Sequence, residues 1–481
     1  MTNILFTLLL SILIHGQEDF DRLQDRISDA YAAGETRVDI HLDPTIYFFR
    51  EKHLHFVDLE MPGLEISFHG NGSVIVGGDG NPVFDIGKGY VDLKSLCDYD
   101  TTESVKKARF WPIKVPFRKG VYCIPVNEPD MSEEEAKDIS IVLSQWFQGK
   151  IYKVIRISGG MMYFRRDEKS GTRMHTELRY GRCLPRYIMC RPPERTDVHC
   201  CSASNFLTVH GCSLGNVSFR GIKFLGNSAD DKLLCFNHTK IDSVIVERCS
   251  FEGIRSDVLH YYDTDNLFFT NNLMTRCYRS GVLCDETADN CTVTDNRFID
   301  NGRMMINNCI VRVQGSNILV RNNLFEDFSY IGIKTGTHYT SEICETEGVI
   351  CENELRLSEE FRKGVPRMLI DGGTIYCLTR NKDIVIRDNY IHDISGPHGN
   401  RGILADDGSV NVTICGNRIL NVSDSYCIDI RKAKRVGRRR NSKIKEVNIG
   451  NKIYDNVYDG RVRIYVDPSD SSSFSRNNTK L

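Results

Sequence analysis

The sequence is short of the features that would place it at a glance. It has no Cys-x-x-Cys pair and no Cys/His spacing suited to zinc, so the common structural zinc modules are excluded. It has no surplus of either charge. Its 62 basic residues against 64 acidic ones leave a formal net charge of −2, which gives no electrostatic case for nucleic acid. It has no apolar run long enough to span a bilayer, so no membrane insertion is expected. The longest apolar stretch, Ile4 to Ile14, is followed by Gly16 and then an acidic segment. That pattern reads as a secretory leader over residues 1–16, cut near Gly16, although the usual leading Lys or Arg is missing. The other reading is a short buried segment. No Cys follows the stretch, so a lipoprotein anchor is not supported. On the leader reading the chain is secreted or periplasmic.

What is present is a chain of 481 residues, 41% hydrophobic and 26% charged, with ample material for a globular core. Its 18 cysteines do not form a small-domain framework, and several fall at strand positions. They are expected to be mostly buried free thiols acting as small hydrophobes. A basic run from Arg431 to Lys445 reads as a solvated loop, or else as a patch for an acidic polymer.

The second half repeats a phrase. It appears as NVSFRGIKF (216–224), SVIVERCSF (243–251), NLFFTNNLM (266–274), NCTVTDNRF (290–298) and NILVRNNLF (317–325), and continues to DIVIRDNYI (383–391), NVTICGNRI (411–419) and VNIGNKI (447–453). Each is a short alternating strand, a polar residue, usually Asn, and another apolar residue. The asparagines are Asn272, Asn296, Asn323, Asn353, Asn389, Asn417 and Asn451. Second strands lie between them, including IGIKTG (331–336), GTIYC (373–377), RGILA (401–405) and YCIDI (426–430). Repeats of this length mean a stacked architecture, and the β-branched strands exclude helical repeats. One coil of a parallel β-helix consumes about this much chain. An Asn at the same turn of every coil tolerates left-handed backbone and can bond to the next Asn along the stack.

The pattern resembles the right-handed parallel β-helix of the pectate-lyase-like superfamily. The resemblance implies an all-β, single-stranded solenoid. Residues 17–87 would form an N-terminal cap and the first coils, with a helix over EDFDRLQDRISDAYAAG (18–34) presenting Phe20, Leu23, Ile27 and Tyr31 on one face and stopping at Gly34. Residues 88–204 break the rhythm and contain both tryptophans, Trp111 and Trp146. They read as an inserted β-rich subdomain, with GKIYKVIRI (149–157) and GMMYFRR (160–166) as hairpin material. Residues 205–466 would be the coils carrying the active site, and 467–481 a frayed tail.

Two stretches carry candidate chemistry: LIDGGTIYC (369–377) and GPHGNRGILADDG (396–408). Ile375 and Ile403 are separated by the same interval as Asn389 and Asn417, so the two strands should stack laterally in adjacent coils. Asp371 then precedes one strand, and Asp406 and Asp407 follow the next. Carboxyl groups so placed fall within the range used by glycosidases, where one protonates the leaving oxygen and the other activates water or attacks carbon. Gly372, Gly373 and Gly408 would let a substrate approach the backbone. His398 and Arg401, on a mobile-looking loop, and Tyr376 would bind sugar. Ordinary Asp-Gly turns are the competing explanation.

DGGTIY, NYIHDISGPHGNRGILADDGS and GNRI resemble a run in bacterial β-helix proteins of glycoside hydrolase family 141, over residues 368–420. That family includes α-L-fucosidase and xylanase activities. The resemblance implies a catalytic pair formed by Asp371 and one of Asp406 and Asp407. Where that family carries Tyr ahead of its Asp-Asp-Gly, Leu404 stands here.

Lys334 and His338, in IKTGTHY (333–339), lie in the coil before Asp371 and would neutralise a uronate, or be solvent-facing. His260 and Asp263, with Asp285 and Glu286, would extend the groove or hold Ca²⁺, or be polar turn residues. No cofactor is otherwise expected. The rival activity is a polysaccharide lyase using Lys334 or Arg401 as base, and the rival class is a non-catalytic glycan binder. The expected partner is a polysaccharide or oligosaccharide, and the expected state a monomer.

Overall fold

The computed structural model describes residues 9–49, 52–77, 90–95, 121–125, 129–136, 140–145, 148–166, 186–190, 205–226, 232–254, 256–285, 288–302, 309–336, 346–363, 372–378, 381–395, 401–406, 409–423, 426–431, 450–459, 463–466 and 473–481. Each turn of the chain adds one short strand to each of three long parallel sheets. Among the described residues these hold 14, 12 and 11 strands, and are called sheets I, II and III here. One rung runs through Asn381–Arg387, Tyr390–His392 and Arg401–Asp406. The next runs through Thr413–Cys415, Arg418–Leu420 and Tyr426–Ile430. Ile386 pairs laterally with Ile414, Ile391 with Ile419 and Ile403 with Ile428. All six are core residues, so the expected lateral stacking of the rungs is observed.

The register follows from side-chain alternation. A slip of one residue would turn the whole apolar set of a strand outward. Like residues therefore stack from rung to rung. Phe68 lies 4.8 Å from Phe219 and Phe298 lies 4.8 Å from Phe325, both nearly parallel. That matches the spacing of neighbouring strands, and each pair adds roughly 0.5–1.5 kcal/mol beyond burial.

The asparagine corner is a continuous hydrogen-bonded ladder. The Asn353 side chain donates to Asn389 Oδ1 at 2.9 Å and to the carbonyls of Val320 and Cys351, while its own Oδ1 accepts from Asn323. The ladder runs Asn272, Asn296, Asn323, Asn353, Asn389, Asn417 and then Asn456 and Asn478. Two sequence expectations are corrected here. Asn451 is not in this ladder; it instead serves Val412 and Ser409. The left-handed backbone belongs not to the ladder Asn but to the residue before it, as at Asn271, Asp295, Asn322, Glu352 and Asp388. The ladder Asn can then point inward and bond, so Asn recurs there from Asn272 onward while its predecessor varies.

At the N-terminal end, helices Gln17–Asp21 and Leu23–Ala32 bury Phe20, Leu23 and Ile27, and Tyr31 packs on the core. Gly34 ends the second at φ 91°. Phe20 stacks on Tyr47 at 4.8 Å and on His53 at 4.3 Å. Burial pushes the His53 imidazole down to about 4, so it is neutral near pH 7. The stretch expected as a leader forms a strand in this structure. Leu9–Ile14 pairs in parallel with Arg37–Leu42, and Ile12 and Ile14 are core residues.

Within the segment expected as an inserted subdomain, strands from Tyr90–Ser95 to Arg186–Cys190 form a separate six-stranded sheet with antiparallel pairs. Gln148–Ser158 and Met161–Arg166 make the expected hairpin. Trp111 and Trp146 lie outside the described residues. The tail is not frayed throughout: Phe474–Arg476 and Thr479–Lys480 add a last rung, because Asn478 prolongs the ladder. Eleven described cysteines are free, and nine of them are buried. Burial raises Cys249 and Cys427 to about 12, so these thiols behave as inert hydrophobes. Among the described residues no helix is long and apolar enough to cross a membrane.

Candidate active site

In sheet III, Ile333, Ile375, Ile403 and Ile428 are lateral neighbours and all face the core. The next residue of each strand therefore faces outward. This outward row reads Lys334, Tyr376, Leu404, Asp429, with Arg312 before it and Tyr465 after it. An outward row on a solenoid is ordinarily wet. Here Lys334 is 7% exposed, Tyr376 6%, Leu404 0% and Asp429 1%. The row is both polar and dry, which makes each charge in it dependent on specific partners.

Asp406 shares this face, two residues beyond Leu404. It is the last residue of its strand and half-buried, not an exposed turn after it as the sequence suggested. Tyr376 donates its hydroxyl to Asp406 Oδ2 at 3.1 Å across adjacent strands. This fixes the carboxyl group over the outward face.

Gly373 explains part of the dryness. A Cβ at this position would stand 2.7 Å from Leu404 Cβ and 2.8 Å from the Ile375 carbonyl. The backbone entering this strand therefore lies on the outward face against Leu404, and only glycine permits that approach. Its neighbour Gly372 accepts a hydrogen bond from the Arg401 amide at 3.1 Å. Asp371 is the residue before Gly372.

Arg401 departs from its expected place. It is not on a loop but is the first residue of a strand, 5% exposed, and its Nε donates to Asp429 Oδ2 at 2.6 Å. Arg431, the first residue of the basic run, donates to the same oxygen at 2.7 Å instead of being solvated. A buried guanidinium requires a carboxylate, and Asp429 supplies it. Sequence reasoning missed Asp429. Its signal is a lone acid between two isoleucines in YCIDI, at a position that alternation turns away from the core.

Lys334 is the lateral neighbour of Tyr376, so it joins the site. His260 lies on the same outward row, three strands before Lys334, about 14 Å away. Asp263 does not join the row. It sits at a left-handed corner, φ 47°, where it accepts from His238 at 2.8 Å with both side chains about half exposed. Asp371, Asp407, His338 and His398 lie outside the described residues, as do Glu286 and the Asp285 side chain. Among the described residues no group of three His, Cys, Asp or Glu is placed to hold a metal.

Residues 207–347 match a family model described as a right-handed β-helix region. The chain is a right-handed parallel β-helix. No curated protein matches its sequence. Among solved structures the β-helix is similar to a glycoside hydrolase, at 12% identity over 94% of this chain and 96% of that one, with a TM-score of 0.48. It is also similar to the periplasmic alginate epimerase AlgG, at 10% identity over 58% and 76% of the two chains, TM-score 0.31. A third is tailspike gp61 of Pseudomonas phage phi297, at 11% identity over 95% and 75%, TM-score 0.25. These likenesses concern the fold alone.

Proposed function

We propose that this β-helix hydrolyses glycosidic bonds of a polysaccharide on the outward face of sheet III, with Asp406 and Asp371 as the two carboxyl groups. The observation that carries the reading is the Tyr376–Asp406 hydrogen bond at 3.1 Å, beside a row that buries Lys334, Tyr376 and Asp429. A pinned carboxyl group can protonate a leaving glycosidic oxygen or receive a proton from water without reorganising. Asp371 is the second carboxyl group implied by the resemblance of the 368–420 run. A fucosylated or xylan-type glycan is the substrate class favoured by the resemblance of the 368–420 run. For the lyase alternative, Arg401 Nε is committed to Asp429, which leaves Lys334 as the candidate base.

The test is a reducing-sugar assay on pectic, xylan and fucosylated glycans, with wild type beside Asp406→Asn and Asp371→Asn. New reducing ends without an ultraviolet-absorbing product are expected. Each variant should lose about 10³-fold in rate while keeping its thermal midpoint. Sugar release that neither substitution reduces would overturn the assignment.

A further inference from the structure

Asp429 has one oxygen that the fold uses and one that it does not. Both guanidiniums, from Arg401 and Arg431, donate to Oδ2. Oδ1 is buried and has no hydrogen-bond partner among the described residues. Leaving a buried acceptor unmet is unfavourable, and a scaffold residue would be expected to meet both of its oxygens. The fold holds this carboxylate in one orientation through Oδ2.

Asp429 is the lateral neighbour of Leu404 and faces outward with it. Asp406 is one strand across and two residues along, so the two Cα atoms stand about 8 Å apart. That is roughly the width of one sugar ring. The groups facing Asp429 from its surroundings are Arg401, Arg431, Tyr465 and, across Leu404, Tyr376 and Asp406.

We propose that Asp429 Oδ1 is a preformed acceptor for one hydroxyl group of the sugar held against Asp406, and so is a specificity-determining residue. The inference rests on the hydrolase reading above. A hydroxyl is the group that fits: it brings a proton to an acceptor and adds no charge beside the two arginines. A site built to receive a substrate hydroxyl discriminates strongly against the analogue lacking it, because the acceptor is then left bare.

The experiment uses the nitrophenyl glycoside that wild type cleaves fastest among fucoside, xyloside and galacturonide, with the full set of its monodeoxy analogues. One deletion should lower kcat/KM by about 10²-fold in wild type. In Asp429→Asn the same deletion should cost less than about tenfold, because the arginines will hold the amide oxygen and turn the NH₂ group to where Oδ1 was. Should Asp429→Asn fail to fold, Arg431→Gln at the more exposed end of the clamp is the second variant. It should shrink the same penalty at least threefold. Equal penalties in wild type and variants at every hydroxyl overturn the role of Asp429 alone, and would also be the result if water occupies Oδ1. Absence of reducing-sugar release from the pectic, xylan and fucosylated glycans overturns the hydrolase reading and this inference with it.

Discussion

The asparagine corner and the outward row of sheet III are made from the same rungs and follow opposite rules. The corner repeats one residue, and its amides bond to one another from rung to rung. The row changes residue at nearly every rung, from Arg312 to Lys334, Tyr376, Leu404 and Asp429, and it leaves a buried oxygen unmet. Repetition closes the hydrogen-bond ledger of a solenoid. Variation leaves it open, as at Asp429 on this face.

The largest expected effect breaks the corner. Asn353→Ala removes three donated bonds and strands the amide of Asn323 and the carbonyl of Val320. A loss of about 3–4 kcal/mol is expected in urea denaturation. The kcat of the protein that remains folded should not change, since the row is untouched.

Acid should discriminate next. The corner ladder holds no ionisable group, whereas the N-terminal cap holds His53, whose folded value is about 4 against an ordinary 6.5. Between these values the unfolded chain binds a proton that the folded one refuses. Stability is therefore fullest above pH 6.5 and declines as pH falls toward 4, by up to about 3 kcal/mol. Urea midpoints at pH 7.5 and 4.5 should show the decline, and His53→Phe should flatten it.

Tyr376→Phe sharpens the other side. It deletes the donor to Asp406 without changing shape, so sugar release should fall about 10- to 100-fold with the melting temperature nearly unchanged. The smallest effect is at the corner's left-handed position. Arg248 holds φ 52° with an exposed side chain, and Arg248→Gly should stabilise by about 0.5–1 kcal/mol in the same urea assay.

The same contrast governs what the sequence makes legible. Coils, core face and ladder are readable because a period is a redundant signal: Asn272 to Asn417 confirm one another. The reading slips at Asn451, where the long run after Arg431 interrupts the period and KIYDNVY, with Asn456, is the true repeat. Leu9–Ile14 reads as a leader and pairs as an edge strand, since a short apolar run suits both. The row has no period to betray it. Tyr376, Lys334 and Asp406 are found through neighbouring Asp-Gly turns, but Asp429 has no such flag, and the engagement of Arg401 depends on it.

The rung that hosts the inserted sheet has a consequence for how the chain assembles. Ser243 reaches Asn216 across 27 residues, but Asn216 reaches Glu65 across 151. Closing the longer loop costs roughly 1.5 kcal/mol more in chain entropy than closing the shorter. Contacts in the later rungs are thus kinetically local, while the first rungs must wait for a distant partner. Nucleation is expected among the rungs after Asn205, with the helical cap docking last. In hydrogen exchange, the amides of residues 37–77 should open before those of residues 380–420.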